Sequence, residues 1–252
     1  MPFSIAVSGK GGTGKTTLSA LIVRYLIRLG KGPILAIDAD ADGNLAEALG
    51  LDGVQTVGEV LEEMEKKVSQ FPPGFSKDGW LEAKLTEVMA EDKGFDFLSM
   101  GRGEGPGCYC YVNSVLCRIM DNLEDNYAYL VMDNAAGMEH LSRRTTRAAD
   151  ILLLVSDHST KGVQSGARIA KLAQELSLDI KKTGLVINRV PDGIDPLIKR
   201  KIEETGLNTI GSIPEDSQVS RFDIEGKPLV ELPEDSKVVK AVRQLIENIL
   251  VS

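Results

Sequence analysis

The stretch Ser4-Ile5-Ala6-Val7-Ser8-Gly9-Lys10-Gly11-Gly12-Thr13-Gly14-Lys15-Thr16-Thr17 decides the fold. A short apolar run ends at a glycine loop, and a segment of helical periodicity, TTLSALIVRYLIRLG, follows at once. Gly9 through Thr16 fit G-x-x-x-x-G-K-[ST] in the strand–loop–helix context that this phosphate-binding motif requires. Its glycines let successive backbone N–H groups close around phosphate oxygens. Lys15 then neutralises the β- and γ-phosphates, Thr16 offers its hydroxyl to Mg²⁺, and the helix N-terminus adds a favourable field. Gly11, Gly12, Thr13, Gly14, Lys15, Thr16 and Thr17 are the expected nucleotide-binding residues.

Outward from the loop, short apolar runs recur: PILAID, then Phe95 to Ser99, Tyr129 to Met132, Ile151 to Val155, Thr183 to Ile187 and Thr209 to Ile213. Their near-continuous hydrophobicity, alternating with helical segments, implies strands covered on both faces. The expected fold class is α/β: a P-loop NTPase with a mostly parallel central sheet flanked by helices, in one domain spanning residues 1–252. Between Val54 and Ala90 the pattern changes to charged helices broken by a Phe-Pro-Pro-Gly turn, which reads as a helical insertion outside the sheet. It is either a solvated hairpin along a sheet edge or a partner-docking element. Near the C-terminus, Val238, Val242, Leu245 and Ile249 form an apolar helical stripe suited to docking.

Asp38 and Asp40, in ILAIDADADGN, end the second strand, and Asp133, in YLVMDNAAG, ends a later one. Strand C-termini are where α/β sheets bind ligands, and Mg²⁺ beside phosphates takes a few carboxylates and waters. For any one of these aspartates the plainer reading is a helix cap.

Composition sets outer bounds. Hydrophobic residues make up 42% of 252, charged residues 26%, and the net charge is −8. Such a balance describes a globular chain whose surface is not built mainly for nucleic-acid phosphates or anionic lipid. No segment of the sequence has the pattern of a signal peptide or the length of a membrane span, and three cysteines make no disulfide framework, so the expected location is the cytoplasm.

The run KGGTGKTT, with Lys10 inside the loop, resembles the deviant Walker A motif of the ATPase group that includes nitrogenase iron protein and the division-site ATPases. That resemblance implies ATP rather than GTP, and a nucleotide-sandwiched homodimer in which Lys10 reaches the partner's nucleotide. By position it implies that Asp40 orients the attacking water, making Lys10, Lys15 and Asp40 the catalytic set, with Thr16, Asp38 and Asp133 at the Mg²⁺. Asn188, Pro214 and Glu215 would lie along adenine.

Cys108 and Cys110 sit in GRGEGPGCYCYVN. Two thiolates cannot complete a tetrahedral site, but a twofold dimer supplies the pair twice, which suits Zn²⁺ or Ni²⁺. Two incidental loop cysteines are the plainer reading. The glycines here are out of register for a dinucleotide fingerprint. Cys117 reads as a core thiol, His140 as a helix residue with local hydrogen bonds, and His158 as lining nucleotide-side loops. The segments MGRGEGPGCYCYVNSVL and DNAAGMEHLSRRT closely resemble CooC-type nickel-insertion ATPases of carbon monoxide dehydrogenase maturation, over nearly the whole chain. Asn134, after Asp133, departs from that pattern without removing an expected ligand. The resemblance implies one metal ion, Ni²⁺ or Zn²⁺, held between subunits by Cys108 and Cys110 in a loop spanning 101–112. It implies an ATP-switched chaperone whose client is carbon monoxide dehydrogenase or acetyl-CoA synthase, with no nucleic acid or membrane partner. The rival expectations are an ATP-dependent iron–sulfur electron donor and a membrane- or DNA-positioning ATPase.

Overall fold

The computed structural model describes residues 2–67, 76–102, 126–137 and 148–251. Eight strands form one sheet in the order β3-β4-β2-β5-β1-β6-β7-β8. They are β1 (Phe3–Gly9), β2 (Ile34–Ala39), β3 (Ala90–Asp92), β4 (Phe95–Ser99), β5 (Tyr129–Asn134), β6 (Ala148–Ser156), β7 (Asp179–Val190) and β8 (Thr209–Pro214). Every pairing is parallel except the β3–β4 hairpin at one edge. Among the described residues the α-helices are α1 (Lys15–Leu29), α2 (Leu45–Leu49), α3 (Val57–Lys67), α4 (Lys77–Val88), α5 (Thr160–Glu175), α6 (Pro196–Thr205), α7 (Ser217–Glu225) and α8 (Lys237–Val251).

Strand alternation sorts the core into layers, because successive side chains leave a strand on opposite faces. Ile5 and Val7 of β1, Ile34 and Ala36 of β2, Val131 of β5 and Leu153 of β6 point to one face, where α1, α2 and α8 cover them. On the other face, Leu35, Ile37, Leu130 and Met132 meet α3 and α4. Further along that face, Leu152, Leu154, Leu185 and Ile187 meet α5 and α6. The C-terminal stripe Val238, Val242, Leu245 and Ile249 is part of the first cluster.

The charged segment after Val54 carries α3 and α4, which pack on one face of the sheet. Val57, Val60, Leu61 and Met64 of α3 and Leu81, Leu85 and Val88 of α4 are buried against β2, β4 and β5. Glu59, Glu62, Glu63, Lys66 and Lys67 occupy the outer side of α3 and give the segment its charged character. The pair is the crossover between β2 and the β3–β4 edge. Among the described residues, no helix is long and apolar enough to cross a membrane.

The topology also locates the ligand end. From β1 the chain moves by α1 to β2, two places to one side, and β5 later fills the gap, while β6 adds on the other side. Neighbouring crossovers therefore diverge around β1, and the crevice this opens lies at its C-terminal end.

Candidate nucleotide site

At that end, β1 gives way to the loop Lys10–Gly14. A Cβ on Gly9 would run into the Val155 carbonyl oxygen of β6, so only glycine lets the strands approach there. Gly14, the N-cap of α1, has φ 88°, in the left-handed region that glycine adopts without steric cost. A Cβ on Gly14 would also collide with Asn188. The loop is braced from inside: Thr13, 1% exposed, donates through Oγ1 to the Lys10 carbonyl at 2.8 Å. Asn188 Nδ2 donates to the Thr13 carbonyl at 2.8 Å, and Asn188 Oδ1 accepts the Arg189 N–H at 2.9 Å. Asn188 thus ties the end of β7 to the phosphate loop.

Lys15 is buried, whereas Lys10 is exposed and forms no ion pair among the described residues. The first two turns of α1 meet β5 directly. Thr16 Oγ1 donates to Asp133 Oδ2 at 2.7 Å, and Ser19 Oγ donates to Asp133 Oδ1 at 3.1 Å. Asp38 stands in register with Asp133 on the adjacent strand. Its Oδ1 accepts the Asp40 N–H at 3.0 Å and its Oδ2 accepts the Leu45 N–H at 2.8 Å.

Both carboxyls are essentially inaccessible to solvent. Burial pushes Asp38 up to about 7, opposed by its two backbone hydrogen bonds and reinforced by the Asp133 charge. Burial likewise pushes Asp133 up to about 6, opposed by the Thr16 hydroxyl, the Lys15 charge and the Ser19 hydroxyl. Two adjacent desolvated carboxyls with too little positive charge nearby are an environment a hard dication would balance, and the oxygen-only donors Thr16, Asp38 and Asp133 are of the type Mg²⁺ selects. Asp40 is half-buried, and its Oδ1 accepts the Asp42 N–H at 3.2 Å.

Two cavities flank the loop. One, about 420 Å³, is lined by Gly11, Gly12, Gly14, Lys15, Thr16, Asp40 and, opposite, Phe222 and Lys227. The other, about 360 Å³, is lined by Asn188, Pro214, Glu215, Asp216 and Val219. Thr17 and Arg189 line both. Thus the residues expected around phosphate and those expected along adenine occupy neighbouring hollows. Each volume is within the range usual for small-molecule sites. Asp216 closes the second cavity as a double cap, accepting from Gln218 N of α7 at 3.0 Å, from Ser236 Oγ, just before α8, at 2.8 Å and from Lys237 N, the first residue of α8, at 2.9 Å.

Cys108, Cys110, Cys117 and His140 lie outside the described residues, as does all of MEHLSRRT. Among the described residues, no group of three or more His, Cys, Asp or Glu side chains could hold a metal ion. Of the 101–112 loop, Gly101 and Arg102 are described: Gly101 packs on Thr56, and the Arg102 guanidinium pairs with Asp42, two residues from Asp40. After β5, the Gly137 N–H donates to the Gly9 carbonyl at 3.2 Å. His158 lines neither cavity; its Nε2 accepts the Asp195 N–H at 3.1 Å.

Sequence reading missed Ser19 and Arg189. Ser19 was findable, as a lone hydroxyl in an otherwise apolar helical run. Arg189 takes φ 55° beside a break in the β7–β8 register, which no local pattern announces.

The family model of the CobQ/CobB/MinD/ParA nucleotide-binding domain matches residues 4–230. The chain belongs to this family. An uncharacterised ATP-binding protein of Methanocaldococcus jannaschii is 43% identical to it over 98% of each chain. The carbon monoxide dehydrogenase accessory protein CooC of Rhodospirillum rubrum is 28% identical, over 90% of this chain and 89% of the relative. Among solved structures, the septum site-determining protein MinD of Pyrococcus horikoshii, complexed with Mg-ADP, superposes with a TM-score of 0.74 at 24% identity, covering 99% of this chain and 96% of that one. The described sheet and phosphate loop are therefore those of a MinD/ParA-type nucleotide-binding protein.

Proposed function

We propose that this family member is an ATP-hydrolysing nickel chaperone that works as a nucleotide-switched homodimer and matures the nickel site of carbon monoxide dehydrogenase or acetyl-CoA synthase. The observation that carries the reading is the pairing of a complete phosphate loop with Cys108-x-Cys110 in a chain that aligns with CooC over 90% of its length. In this reading Lys15 and the loop amides grip the phosphates, and Thr16, Asp38 and Asp133 hold Mg²⁺, which supplies charge neutralisation to the phosphates when bound. The Mg-ADP bound by the structurally similar MinD supports Mg-nucleotide as the ligand. Asp40, at the rim of the phosphate cavity, orients water. Lys10, exposed and without an ion pair among the described residues, is available to a partner's nucleotide. Thr17, Asn188, Pro214 and Glu215 hold the base side. The amide of Asn188 is already committed to the Thr13 carbonyl, so its contribution there comes from positioning the loop as much as from the base.

Nickel is the cargo, taken by soft thiolates that discriminate against Mg²⁺. The Arg102–Asp42 pair supports coupling, because it joins the root of the cysteine loop to the segment after β2 that carries Asp40. The similarity to MinD favours a second reading, a positioning ATPase. The C-terminal helix places its apolar stripe in the core and leaves that stripe unavailable to lipid in this conformation.

Anaerobic nickel titration with ADP or ATP, read by thiolate charge-transfer absorption and by mass from light scattering, tests the proposal. The expected result is one Ni²⁺ per dimer, lost in the Cys108→Ser, Cys110→Ser double variant while nucleotide binding persists. Absence of a thiolate–nickel band would overturn the chaperone reading. A brown iron–sulfur chromophore on the same cysteines would replace it with the electron-donor reading, and ATP-gated sedimentation with liposomes or DNA with the positioning one.

A further inference from the structure

Ser19 lies in the second turn of α1, among Leu18, Ala20, Leu21, Ile22 and Val23, all buried, and is itself 0% exposed. A buried hydroxyl is costly unless hydrogen-bonded, and serine inside a helix commonly bonds back to the carbonyl four residues earlier. Here it crosses to β5 instead, donating to Asp133 Oδ1, while Thr16 donates to Oδ2. Positions three apart share one helix face, so the two hydroxyls hold the two carboxylate oxygens separately. Their situations differ. Thr16 belongs to the phosphate loop motif and lines the cavity, where its hydroxyl has a second claim on it from Mg²⁺; Ser19 lines neither cavity.

We propose that Ser19 is a positioning residue: it holds one oxygen of Asp133 while the Thr16 hydroxyl, which can give a lone pair to Mg²⁺ as it donates, keeps the other on the cation side. Without it, the buried carboxylate keeps the Thr16 bond to one oxygen, loses the hold on the other and can pivot away from the cation. This rests on the Mg-nucleotide reading above. It assigns the Mg²⁺ response of the site to a residue outside the motif.

The test uses the full chain and a fluorescent ADP analogue, titrated across Mg²⁺ concentrations and in EDTA. For Ser19→Ala, the Mg²⁺ concentration giving half-maximal enhancement of nucleotide affinity should rise about tenfold, the scale of a hydrogen bond to a charged group. Affinity in EDTA should stay near wild type, the melting temperature should fall only by the few degrees that one lost buried hydrogen bond costs, and Ser19→Thr, which restores a hydroxyl, should recover part of the response. An unchanged Mg²⁺ midpoint in Ser19→Ala overturns the proposal, as does an equal loss of affinity in EDTA, which would make Ser19 a structural support of the loop. If Ser19→Ala fails to fold, Ser19→Cys, close in volume and a weaker donor, is read against the same outcomes. Failure of the wild-type protein to respond to Mg²⁺ at all would instead sink the nucleotide reading beneath it.

Discussion

The ends of β2 and β5 carry aspartates in the same register, both buried and both pushed above the ordinary carboxylate range, yet they are held in opposite ways. Asp38 accepts two backbone N–H groups and so shapes the turn that leads through Asp40 to α2. Asp133 accepts two side-chain hydroxyls from α1. Backbone amides cannot turn away without moving the chain, whereas hydroxyls rotate freely. Asp38 is therefore part of the scaffold as well as the site, whereas the side-chain hold on Asp133 can adjust when a ligand arrives.

The largest expected effect breaks the scaffold side. Asp38→Ala strands the buried Leu45 amide and the part-buried Asp40 amide at roughly 1–3 kcal/mol each, so urea unfolding should show a loss of about 2–6 kcal/mol. Asp133→Asn should leave the melting temperature near wild type, since the hydroxyls can reorient, while Mg²⁺-dependent nucleotide affinity falls by at least about tenfold, near 1.4 kcal/mol. Equal stability losses in the two variants would erase the distinction.

A third measurement uses pH. In the ligand-free protein both folded-state values are raised above the unfolded one, so the folded state retains protons that the unfolded state has released. The extra stability is fully present below the unfolded value of about 4 and is lost as pH rises toward about 7. Melting temperatures across this window should fall more steeply for wild type than for Asp38→Asn, and saturating Mg-ADP should flatten the wild-type slope. The smallest effect lies at the other cavity: Asp216→Ala removes a shared cap of α7 and α8 and should cost about 1–2 kcal/mol by thermal or chemical melts, with the Mg²⁺ response intact.

The local patterns were legible where a short segment carries the whole physics. The phosphate loop declares itself because phosphate binding needs glycines, a lysine and a hydroxyl within eight consecutive residues. The strands declare themselves because burial on both faces demands unbroken apolar runs. The charged segment after Val54 was less legible, since its buried line, Val57, Leu61, Met64 and then Leu81, Leu85 and Val88, is interrupted in sequence by the Phe-Pro-Pro-Gly stretch and diluted by the outer-face charges.

By itself, the sequence determined the strand–loop–helix phosphate site, the doubly covered sheet and the aspartates at strand ends, because each follows from residue types at short spacing. Only the tertiary structure decided which hydroxyls grip Asp133, that Asn188 clamps the loop at Thr13, that Arg189 stands between the two hollows, and that α3 and α4 roof the sheet. Those contacts join residues more than 100 positions apart or depend on strand order and helix face, and chain proximity does not encode them.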